Sequence, residues 1–61
     1  MKLKTGSIVL LRDDLTEHWF IVEVEEIDKT FFSGWVVDSD YNARGGFCGF
    51  HRSDIIEVLE G

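Results

Sequence analysis

Residues 18–38 read HWFIVEVEEIDKTFFSGWVVD, and their pattern decides the fold class. Phe20, Val22 and Val24 alternate with Ile21, Glu23 and Glu25, which is the two-residue period of a strand with one wet face. Glutamate-rich runs also favour helices. Here Val and Ile alternate quickly beside two aromatics, Trp19 and Phe20, and that tilts the segment to a strand. Asp28-Lys29-Thr30 makes a short turn, so 18–28 and 31–38 pair as a hairpin. The second arm is apolar on both faces (Phe31, Phe32, Trp35, Val36, Val37). One of those faces must find cover beyond its own sheet. Gly34 in its middle is costly in a flat strand and suits a bulge or a sharp bend.

Outward from the hairpin, Gly6 precedes a β-branched and aliphatic segment that predicts a first strand over 7–12. Residues 13–17 form a polar loop. The stretch SDYNARGG, residues 39–46, predicts an exposed loop whose end is freed by Gly45 and Gly46. A short fourth strand follows over 47–51, overlapping a helical turn at 51–54, and a last strand spans 55–59 with Ile56 and Val58 pointing inward. There is no proline and no repeat. Five short strands without a helix to cover them imply an all-β domain, a barrel or a small sandwich.

The layout resembles the Src-homology-3-like small barrels, a superfamily that includes KOW and Tudor domains. The residues carrying it are Gly6-Ser7-Ile8-Val9, Gly34 and Ser53-Asp54-Ile55-Ile56-Glu57-Val58. The resemblance implies a five-stranded barrel with one short helical turn before the last strand, spanning residues 1–61 as one domain. It implies little about function. The peptide-binding signatures of the eukaryotic members and the basic loops of nucleic-acid-binding KOW modules are both missing from the sequence.

Sixty-one residues with 44% hydrophobic content make one small core. The single cysteine, Cys48, excludes an internal disulfide. With no apolar leader visible, it fits a reducing, cytoplasmic setting. The longest apolar runs, Ile8 to Leu11 and Trp19 to Val22, are far short of the ~20 residues that span a bilayer. The net charge of −6 argues against general nucleic-acid affinity. Residues 13–28 hold seven acids and no Lys or Arg, whereas Lys2, Lys4 and Arg12 stand in the first twelve. An acidic block of this kind solubilises a face or steers a basic partner.

No catalytic or cofactor motif is expected. Cys48 and His51 could supply half of a zinc site, but no second cysteine exists. With Asp54 they could form a nucleophile and base, yet strand alternation puts 48 and 51 on opposite faces. Cys48 therefore reads as a small core or half-buried filler. The aromatics carry more weight. With Phe20, Val22, Val24 and Phe32 inward, Trp19, Phe31 and Trp35 turn outward, which makes either a partner or self-association surface or a second small core covered by loops and long side chains. The expected binding residues are Trp19, Phe31, Trp35 and Tyr41, with Glu23 and Glu25 as an acidic rim. This predicts a non-catalytic interaction module for a protein partner or another copy of itself. By analogy, free-standing acidic domains of this size serve as adaptors or inhibitors, some of them products of phages or mobile elements. The alternative is nucleic-acid binding through Lys2, Lys4, Arg12, Arg44 and Arg52, with stacking on Tyr41 and Trp35. That alternative needs the five cations on one face.

Overall fold

The computed structural model describes residues 3–61, with the side chains of all of these except Ala43 and Arg44. Lys2 and the Arg44 side chain, two of the cations named above, lie outside the described residues. The chain is all-β. It runs β1 (Ile8–Arg12), β2 (Trp19–Ile27), β3 (Phe31–Val37), β4 (Ala43–His51), a 3₁₀ turn (Arg52–Asp54) and β5 (Ile55–Glu60). All five strands join one antiparallel sheet in the order β4-β3-β2-β1-β5. No ladder joins β4 to β5, so hydrogen bonds do not close the sheet. No helix among the described residues is long and apolar enough to cross a membrane.

The core explains how one sheet folds without a second layer. Val9 and Leu11 of β1 and Val22 and Val24 of β2 are wholly buried, joined by Phe32 of β3 and Ile55 of β5. Phe20, Val36, Phe50, Val58 and Leu3 pack against them. Cross-strand partners share a face, and the inner rows follow from Val9↔Val22, Leu11↔Phe20 and Val22↔Val36. Since no other layer covers these side chains, the sheet coils over its own inner face. Each wholly buried aliphatic side chain contributes roughly 1.5–3 kcal/mol.

At Gly34 the neighbouring strand comes too close for any side chain. A Cβ at this position would overlap the Glu23 carbonyl oxygen and lie 2.9 Å from Val22 Cγ1. The bulge itself sits on the facing strand: Val24 pairs with Gly34 and Glu26 with Ser33, so Glu25 is the extra residue. Gly34 is thus required by close backbone approach, opposite a bulge that bends β2. At the entrance to β1, Gly6 adopts a positive φ of 94°, which only glycine takes without strain. The turn lets Gly6 N–H donate to the Val24 carbonyl at 2.8 Å and Val24 N–H to the Ser7 carbonyl at 2.8 Å.

Three expectations need correction. The fourth strand begins at Ala43, not 47, and absorbs half of the predicted loop. The true turn is compact: Asp38 Oδ1 accepts the N–H groups of Asp40 and Asn42, both at 3.0 Å. An aspartate so used ties a turn shut, leaving 43–46 free to extend. In β5 the inward residues are Ile55 and Val58, while Ile56 is 54% exposed. Leu11 pairs with Ile55 but Leu10 pairs with Glu57, so Ile56 is a bulge residue that shifts the alternation. Cys48 is exposed, neither core nor filler. It pairs with Gly34 on the inward row, but β4 is the edge of the sheet, and no strand among the described residues lies beyond it to bury the thiol.

Candidate interaction face

The outer face of the sheet follows from the same register. Along β3 this row holds Phe31, Ser33, Trp35 and Val37, opposite His51, Gly49, Phe47 and Ala43 of β4, and Val37 at its end is buried. On the other side of β3, Trp35 faces Glu23 and Val37 faces Ile21 of β2. Trp19 continues that row of β2 and pairs with Arg12. The rings expected to turn outward do so: Trp19 is 57% exposed, Phe31 49% and Trp35 39%.

They do not stand singly. Trp35 meets Phe47 edge-on with ring centroids 5.1 Å apart. Phe31 lies against the His51 imidazole at 4.5 Å. Pairs of this kind gain about 0.5–1.5 kcal/mol beyond area burial, which biases the ring positions while leaving an open face. Phe47 remains 44% exposed. Phe47 and His51 were missing from the sequence-based site. Their partners were predictable only once β4 was paired with β3 in register.

The carboxylates divide. Glu23 is half-buried beside Trp35, whereas Glu25 is the exposed bulge residue. Glu26 pairs opposite Ser33 and adds a third carboxylate along this margin. None of the three carboxylates has a hydrogen-bond or ion-pair partner among the described residues. At the far end of the face, Trp19 is four residues from Glu23, or about 13 Å along the strand at ~3.3 Å per residue. Trp35 and Phe31 are similarly separated. Trp19 and Phe31 therefore mark opposite ends of the surface.

Tyr41 stands apart. It occupies the β3–β4 turn at φ 65°, and its N–H donates to the Asp38 carbonyl at 2.9 Å. The described cations are scattered. Arg12 is ion-paired to Glu17 at the Trp19 end of β2. Arg52 donates to the Asp28 carbonyl oxygen at 3.2 Å, beyond the opposite end of that strand. Lys4 precedes β1.

Two concavities flank this geometry. One, of about 450 Å³, opens on the outer face over Ser33 and Gly49, beside Glu26, Asp28 and Phe31. The other opens at the unpaired β4 edge over Leu11, Phe20 and Val36, with Cys48, His51 and Asp54 on its rim. No hydrogen bond links those three rim residues, and His51 leans on Phe31 instead. Among the described residues no group of His, Cys, Asp or Glu side chains is arranged to hold a metal. The chain gives no significant match to any protein-family model, curated protein or solved structure.

Proposed function

We propose that this chain is a non-catalytic protein-interaction module of the adaptor or inhibitor kind, built as a Src-homology-3-like barrel left open at one seam and working in the cytoplasm. It offers the outer face of β2, β3 and β4 to a protein partner. The observation that carries the reading is the Trp35–Phe47 pair, held edge-on yet exposed, with Glu23 directly across the ladder. Paired, positioned aromatics lose little freedom on binding, which suits them as anchors. Unpaired carboxylates beside them supply charge complementarity and a faster encounter with a basic partner.

The rival reading, a nucleic-acid module, needs its cations together. Arg12 and Arg52 stand near opposite ends of β2, and Arg12 is ion-paired to Glu17. The experiment compares capture of host proteins by the native chain, by Trp35→Ala and by a Lys2, Lys4 and Arg12 triple Gln variant, each first shown folded. Partner affinity is then measured by calorimetry. Trp35→Ala is expected to cost at least ~2 kcal/mol of binding, and the triple variant little. The reverse order, with affinity falling steeply as salt rises, overturns the reading in favour of nucleic acid.

A further inference from the structure

Between the ring pairs Phe31–His51 and Trp35–Phe47, the outer row carries Ser33 opposite Gly49. These two are too small to fill the space, and the 450 Å³ depression opens there. It is lined by Phe31, Phe32, Ser33 and Gly49, with Glu26, Ile27 and Asp28 on the β2 side.

Gly49 is the informative residue. It is not among the residues with positive φ. A Cβ added to it would meet only the Phe32 carbonyl oxygen, at 4.0 Å, an ordinary contact distance. The fold therefore does not need glycine at 49, in contrast to Gly34. Glycine inside a strand weakens it and often marks a bulge, a bend, or a site where a ligand or another backbone approaches closely. The β3–β4 register runs unbroken through Gly49, so no bulge accounts for it. The missing side chain leaves space in the depression beside Phe31.

The lining also sets the charge of an occupant. Glu26 and Asp28 are the charged residues of the depression. The Glu26 carboxylate is unengaged among the described residues, and Asp28 Oδ1 accepts the Lys29 N–H at 2.8 Å. Arg52 approaches Asp28 only through the backbone carbonyl. An aromatic side chain beside two carboxylates suits a cationic occupant. Phosphates would be repelled there, and so would a second copy of a chain with net charge −6.

We propose that this depression receives a lysine or arginine side chain of a partner polypeptide. The inference rests on the interaction-module reading and adds the chemistry of the residue recognised. The test is a titration of the full chain, followed by amide resonances, with three heptapeptides. Each has glycine and serine flanking one central residue, which is arginine, lysine or the uncharged norleucine. The two cationic peptides are expected to shift the Glu26, Ser33 and Gly49 amides saturably, in the low-millimolar range, roughly tenfold more tightly than norleucine. Gly49→Val fills the depression and should abolish those shifts. Glu26→Gln, at an exposed side chain that leaves the fold untouched, should weaken them by about threefold or more. Equal response to norleucine, no saturable shift, or full binding by a folded Gly49→Val overturns the proposal. A natural partner that depends on Trp35 but ignores Gly49→Val would overturn the cation site alone. A partner indifferent to Trp35→Ala would remove the interaction face itself.

Discussion

Replacing Gly34 by alanine tests the coiling of the sheet most directly. The added Cβ would coincide with backbone, the Glu23 carbonyl, and would also press on Val22 Cγ1 at 2.9 Å. A flexible side chain can swing away; a carbonyl in a ladder cannot. Relief requires β2 and β3 to part locally, adding roughly 1–3 kcal/mol of overpacking strain to one or two weakened ladder bonds at about 1 kcal/mol each. The expected loss is about 3 kcal/mol, against a total of roughly 3–9 kcal/mol for a chain of this size. Two other glycines serve as internal controls. At Gly45 a Cβ would lie 2.9 Å from Val36 Cβ, and at Gly49 it would meet nothing closer than 4.0 Å. Urea unfolding should therefore rank the alanine variants 34, 45, 49 from most to least destabilised, with position 49 neutral or stabilised by up to ~0.5 kcal/mol. Circular dichroism is the suitable probe, because both tryptophans are already exposed in the folded state. A Gly34→Ala midpoint equal to the native one, with unchanged slope, would refute the close approach of β2 and β3.

The bulge in β5 predicts that Ile55→Ala costs about 2–4 kcal/mol and Ile56→Ala less than ~0.5 kcal/mol; equal costs in a thermal melt would mean the strand keeps simple alternation. Cys48 should react with a thiol reagent in the folded protein as fast as in urea, and Cys48→Ser should change stability by no more than ~0.5 kcal/mol. Slow, unfolding-limited modification would show the thiol to be covered. Tyr41 pays a conformational penalty at φ 65°, so Tyr41→Asn or Tyr41→Gly should raise stability by about 0.5–1 kcal/mol, and a lower unfolding midpoint would show that the ring's contacts outweigh the strain.

The sequence alone was enough for the all-β class, the β2–β3 hairpin and the two faces of β2 and β3. Alternation is a local property, and Phe20, Val22, Val24 and Phe32 lie inward while Trp19, Phe31 and Trp35 lie outward as it requires. Where alternation is interrupted, only the folded sheet decides. Ile55, Ile56 and Val58 are all acceptable inward residues by composition, and the bulges opposite β1 select among them. The start of β4 depends on how tightly Asp38 closes its turn, and polar residues with two glycines do not announce a strand. Burial of Cys48 is likewise a matter of what lies beyond β4, which is set by strand order and not by the thiol's own character. The meaning of the glycines divides in the same way. Gly34, Gly45 and Gly49 are indistinguishable as letters, yet one is forced by a facing carbonyl, one by a valine, and one leaves an open notch. Those distinctions depend on neighbours brought close only by pairing, and pairing is a long-range outcome that local spacing does not encode.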